Sequence, residues 1–147
     1  MKKMNNRQKK KFIIIAAVLE LVLVVGIVLF WVAFFTADEV QIRDPRLKEK
    51  YLAFESAFPV PDAYLSIVLV IGSIGLWRKK SYGRLFSLIG GASLIFLGLL
   101  DISFNTQHGI YCLGLGEAAL NLFINLMCLG VGIFLVLTVW KYREDLP

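Results

Sequence analysis

The stretch FIIIAAVLELVLVVGIVLFWVAFF, residues 12–35, decides what kind of molecule this is. It follows the basic opening MKKMNNRQKKK and is broken only by Glu20. A cleavable secretory signal has an apolar core of about 7 to 15 residues, and this run is far longer, so it reads as an uncleaved anchor that crosses hydrocarbon as a helix.

Three more apolar runs follow, giving expected helices at about 12–35, 60–77, 84–104 and 115–141. With 58% hydrophobic residues and a mean hydropathy of +0.71, the 147-residue chain falls in the membrane class. A water-soluble bundle would need polar outer faces that the first and fourth runs lack. The expected fold is all-α: one domain over residues 1–147, a polytopic membrane protein with four transmembrane helices in an antiparallel bundle.

Lysine and arginine set the expected orientation, because positive residues near helix ends resist translocation. If the spans alternate, Lys2, Lys3, Arg7, Lys9, Lys10, Lys11, Arg78, Lys79, Lys80, Arg84, Lys141 and Arg143 all fall on one side, twelve of the sixteen basic residues. The other side has Arg43, Arg46, Lys48 and Lys50, diluted by Asp38, Glu39, Asp44, Glu49 and Glu55. Both termini are therefore expected in the cytoplasm. The net charge of +5 reflects this topology, and the partner it implies for the basic N-terminus is anionic lipid headgroups rather than nucleic acid. Trp31 and Tyr64 at one boundary, and Trp77, Tyr82, Trp140 and Tyr142 at the other, match the aromatic belts of a membrane protein. Compact topology without organelle signals points to a multi-pass protein of a prokaryotic plasma membrane.

Between the first two spans the chain has an element of its own. Asp44 and Pro45 form an N-cap and first helical position, and Leu47, Tyr51, Phe54 and Phe58 follow on one stripe. This predicts a short amphipathic helix at about 45–57 on the outer interface, its stripe in lipid or against the bundle. The connection RKKSYGR is short and forces the second and third spans into an antiparallel hairpin.

The polar residues inside the spans are lined up. At 100° per residue, with Glu117 at zero, Asn121, Asn125, Cys128 and Gly132 fall at about 40°, 80°, 20° and 60°. Ser87, Gly91, Gly98, Asp101 and Asn105 share a face of the third span, and Gly83, Ser87 and Gly91 make a small-xxx-small row. Asp62, Ser66 and Ser73 repeat the pattern on the second span. Packing these faces together puts Asp62, Asp101 and Glu117 near the outer mouth, with His108 and Cys112 above them.

Each carboxylate has a plain role to weigh against a functional one. Asp62 and Glu117 begin helices, where a carboxylate offsets the dipole. Asp101 sits near a helix C-terminus, where the dipole disfavours an anion, so a partner or a proton is expected, and His108 is a candidate for it. Asp62, Asp101, His108 and Glu117 are permissible metal ligands without a recognisable spacing, and no cofactor motif is found. Asn121 and Asn125 read as ligand contacts or interhelical hydrogen-bond donors. Glu20 lies about 13 Å into its span, where an ionised carboxylate costs several kcal/mol, so it is neutral or paired, either fastening helices or coupling to protons. Cys112 and Cys128 are held about 20 Å apart by helical chain, beyond disulfide reach.

One membrane-embedded glutamate in the first of four helices resembles the small multidrug resistance transporters, in which that residue binds cationic drugs and protons. The resemblance covers Glu20 and the helix count. It stops at the long outer segment from Thr36 to Ser56 and at the second polar cluster, which that family lacks. Four-helix thiol oxidases would need paired cysteines, and glutathione-handling enzymes arginines within the bundle.

The functional expectation is a small integral membrane protein with an outward-facing site, lined by Asp62, Asp101, His108, Glu117, Asn121 and Asn125, that binds or transports a small cationic or amphipathic ligand. Carboxylates select positive charge. The alternative is a non-catalytic accessory subunit, whose polar and glycine-rich faces fasten it to a second copy or to a larger membrane partner. Acid and base groups are present, but no nucleophile supports an enzyme.

Overall fold

The computed structural model describes residues 6–37 and 44–146, and those residues form helices and turns with no strand. The long helices are α1 (Asn6–Thr36), α3 (Pro59–Trp77), α4 (Ser81–Gln107) and α5 (Leu115–Lys141), with the short α2 (Pro45–Glu55) before α3. Single 3₁₀ turns at Ile110–Cys112 and Arg143–Asp145 follow α4 and α5. The four long helices are each long and apolar enough to cross a membrane, the mark of a multi-pass protein. Lys2, Lys3, Asp38, Glu39 and Arg43, which entered the charge count, lie outside the described residues.

Packing follows the small residues. The α3–α4 hairpin closes where Gly75 meets Gly83, backbone on backbone, with no room for a Cβ on either. The α4–α5 contact closes where a Cβ on Gly132 would sit 2.8 Å from the Gly91 carbonyl oxygen. Without water to expel between lipid-solvated helices, such close van der Waals contact is what draws spans together. The glycine and serine row of α4 is buried as its spacing predicts, with Gly83, Ser87 and Gly91 all inside. Leucine and valine fill the remaining core, Leu65, Leu69, Leu94, Leu135 and Val139 among them. Val22, Val25, Leu29, Phe123 and Leu137 stay exposed on the outside, as lipid-facing positions do.

The α3–α4 turn is a Schellman motif: Lys80 N–H bonds the Gly75 carbonyl at 2.9 Å and Lys79 N–H bonds that of Leu76 at 3.1 Å. The left-handed position of this motif normally belongs to glycine, yet Lys79 occupies it with φ 49°. A side chain there costs about 1 kcal/mol.

Asp44 caps α2 as its sequence predicts, accepting from Arg46 N–H at 2.9 Å and pairing with the Arg46 guanidinium at 3.0 Å. That hydrogen bonding holds the Asp44 carboxyl below its ordinary range. The stripe of α2 turns onto the bundle: Tyr51 is buried with Phe34 and Ile110, flanked by Leu47, Leu52 and Phe104. Phe54 stacks on Phe104 with centroids 3.9 Å apart and planes 5° from parallel.

Candidate functional site

Two buried carboxylates, Asp62 and Glu20, occupy different parts of the bundle, and the half-buried Asp101 lies near Asp62. The first lies under α2, where α3 begins and α4 ends. Asp62 is only 8% exposed. Its Oδ2 accepts the indole N–H of Trp31 from α1 at 2.8 Å, while its Oδ1 has no hydrogen-bond partner. Asp62 therefore binds a neighbouring helix and does not cap its own: the start of α3 has no side-chain cap. Asp101 is near enough to Asp62 for the two to repel, and both act on Cys128 of α5. One turn from Cys128, Asn125 is 1% exposed, donates to the Tyr111 hydroxyl at 2.7 Å and leaves its Oδ1 without a donor.

The short helix adds a carboxylate that the sequence reading counted only as loop charge. Burial, and then the neighbouring Asp101, push Glu55 up to about 8, with the adjacent Tyr51 hydroxyl partly offsetting them and Asp62 adding to them. Tyr51 is itself pushed up, first by burial and then by Glu55, Asp101 and Glu117. Tyr51 and Glu55 thus lie over the carboxylates of α3, α4 and α5. Their signal was present in the sequence: Glu55 follows Tyr51 by four residues, one helical turn, and so shares its inward face.

The amides of α4 and α5 close the α5 side of the cluster. Asn105, 3% exposed, donates to Asn121 Oδ1 at 3.3 Å, and Asn121 donates to the Glu117 backbone carbonyl at 2.9 Å. Of the residues expected at the site, Asp62 and Asp101 both act electrostatically on Cys128, Glu117 acts more weakly on Tyr51, and Asn125 is held by Tyr111. His108 is placed differently. Its Nδ1 lies 3.0 Å from the Phe104 carbonyl oxygen and its ring stacks on Phe104, which ties it to the last turn of α4 rather than to Asp101. Among the described residues no three metal-ligating side chains converge. Both cysteines are free, Cys112 exposed and Cys128 buried.

The second carboxylate, Glu20, is fully buried. A Cβ on Gly72 of α3 would lie 2.8 Å from Glu20 Oε1 and 2.9 Å from Ser87 Oγ, so the carboxyl and the hydroxyl sit side by side in the space that glycine leaves. They are close enough to interact but out of hydrogen-bond geometry. Ser73, one residue on from Gly72, donates to the Ala17 carbonyl of α1 at 2.8 Å. Glu20 therefore joins α1, α3 and α4 at a tightly filled point.

No family model matches this chain, and no curated protein or solved structure is significantly similar to it.

Proposed function

We propose that this small multi-pass membrane protein binds a small cationic or amphipathic ligand at the carboxylate and amide cluster beneath α2. What carries the reading is Asp62 Oδ1, a carboxylate oxygen more than nine-tenths buried and without a donor, on a side chain near enough to Asp101 for the two to repel. Asn125 Oδ1 is a second buried acceptor in the same state. Unsatisfied acceptors in a low-dielectric interior are costly, and a cation or a cluster of N–H donors would satisfy both at once. In this reading Asp62 and Asp101 hold the positive charge, Asn121, Asn125 and Glu117 line the α5 side, and Tyr51 and Glu55 close the top. His108 steadies the end of α4 from outside, and Glu20 belongs to the helix contact. Whether the ligand is carried across the membrane depends on α2 leaving its seat.

The accessory-subunit reading needs small-residue faces free for a partner. Gly75, Gly83, Gly91 and Gly132 are occupied by contacts within the bundle, which leaves Gly26, Gly116 and Gly130 as the open positions for one.

The test uses the indole that touches the site. Titration of the purified protein with tetrabutylammonium is expected to shift Trp31 fluorescence saturably, whereas a neutral tetraalkyl analogue of equal size does not. Equal responses to the two, or an unchanged response in Asp62→Asn and Asp101→Asn variants that remain folded, would sink the proposal.

A further inference from the structure

A different feature, independent of the acidic cluster, lies at the opposite end of the bundle. Between the first turns of α1 and the last turn of α3 there is a groove of about 780 Å³, within the size range of small-molecule sites. Arg7, Lys9, Lys10 and Lys79 line it, and none of its described lining residues is acidic. Its remaining walls are Ile13, Ile14, Leu76 and Trp77.

We propose that this groove binds the phosphate headgroup of an anionic phospholipid. The charge is complementary to a phosphodiester, and basic pockets between spans are a recurrent form of headgroup site. The apolar wall argues for an amphipath over a free anion. Ile13 is buried at the base and Trp77, 59% exposed, stands at the rim, where an indole meets the headgroup level. A separate apolar groove lies at the far end of the same two helices. Val28 and Val32, about five turns on from Lys10 and Ile14, line it against Ala63 and Ile67 of α3.

Lys79 adds a separate indication. It holds the left-handed turn position that glycine would fill without strain, and its side chain lines the groove. Backbone preference and side-chain identity are therefore in conflict at this residue, and a binding role resolves the conflict. The substitution Lys79→Gly removes the charge while relaxing the turn, so lost binding cannot be ascribed to unfolding.

The experiment is native mass spectrometry of the full chain released from vesicles of phosphatidylcholine and phosphatidylglycerol in equal amounts. One phosphatidylglycerol is expected to be retained at least tenfold over phosphatidylcholine, and millimolar inorganic phosphate is expected not to displace it. Lys10→Gln with Lys79→Gly is expected to abolish the preference, while Lys11→Gln with Lys80→Gln, an equal charge change at the same end outside the groove, preserves it. Equal retention of the two lipids, displacement by phosphate, or equal losses in the two double variants would each overturn the proposal. Preference surviving in the Lys10 and Lys79 variant would do the same.

Discussion

Glu20 and Asp62 are both carboxylates set in apolar helices, both buried, and both have oxygen atoms without a hydrogen-bond partner. Their surroundings differ in kind. Around Glu20 are the hydroxyl of Ser87 and the bare surface of Gly72, so close together that a Cβ on Gly72 has no room. Around Asp62 are an indole donor, other carboxylates, and a short helix laid over the top. An acid surrounded by small residues acts as part of a close-packed contact, because its shape is what its neighbours have fitted. An acid surrounded by acids is a site, because the unfavourable charge it concentrates is relieved only by something from outside.

Substitutions can break this comparison, the most damaging first. Gly72→Val drives a branched side chain into Glu20 and Ser87 and is expected to destabilise the bundle by about 3 kcal/mol. Ser66→Val, also on α3 but half-buried, is expected to be nearly silent in the same detergent unfolding titration. Glu20→Ala is next, at about 2 kcal/mol for the void it leaves, while Glu20→Gln keeps the shape and stays within about 1 kcal/mol of the parent. If glutamine proves as damaging as alanine, ionisation rather than fit governs Glu20 and the contrast with Asp62 fails.

Asp62→Asn should show the opposite balance. The amide oxygen still accepts from Trp31, so the melting temperature should move by only a few degrees, while affinity for tetrabutylammonium falls about tenfold, near 1.4 kcal/mol. A large loss of stability without loss of binding would place Asp62 with Glu20.

The smallest effect concerns the covering helix. Glu55 holds its proton to about pH 8 in the folded protein, whereas in an unfolded chain it ionises near 4.5. Between those values the folded state binds more protons, so the seating of α2 is firmest below about pH 4.5 and weakens as pH rises toward 8. The protection of the α2 amides, taken relative to the base-catalysed intrinsic rate at each pH, should fall a few-fold over that window and level off above it, and Glu55→Gln should flatten the profile. Protection that falls in the acid direction would reverse the sign and remove Glu55 from the site.

The four spans and the polar faces of α4 and α5 were legible because each depends on one helix at a time: run length marks a span, and 100° steps mark a face. What the sequence hid was pairing between helices. Trp31 read as a belt aromatic because its position at the boundary explains it fully, and nothing local shows that its N–H reaches Asp62. Ser87 read as one more small residue in a packing row, and it is that, but it also faces Glu20 from another helix. Tyr111 likewise gave no local sign that it would receive Asn125. His108 misled in the other direction: its chemistry suggested a partner for Asp101, and a local ring stack with a backbone contact took precedence.

The slot that Gly72 leaves for Glu20 has a further consequence for α1. Much of that helix is valine, leucine and isoleucine on its exposed side, which lipid solvates alike. Sliding it by one turn or rotating it by a quarter would carry the carboxyl out into acyl chains, at a cost of several kcal/mol. Glu20 thus serves as the index mark that sets the depth and rotation of α1, and through the indole of Trp31, three turns further along, it fixes where Asp62 is gripped.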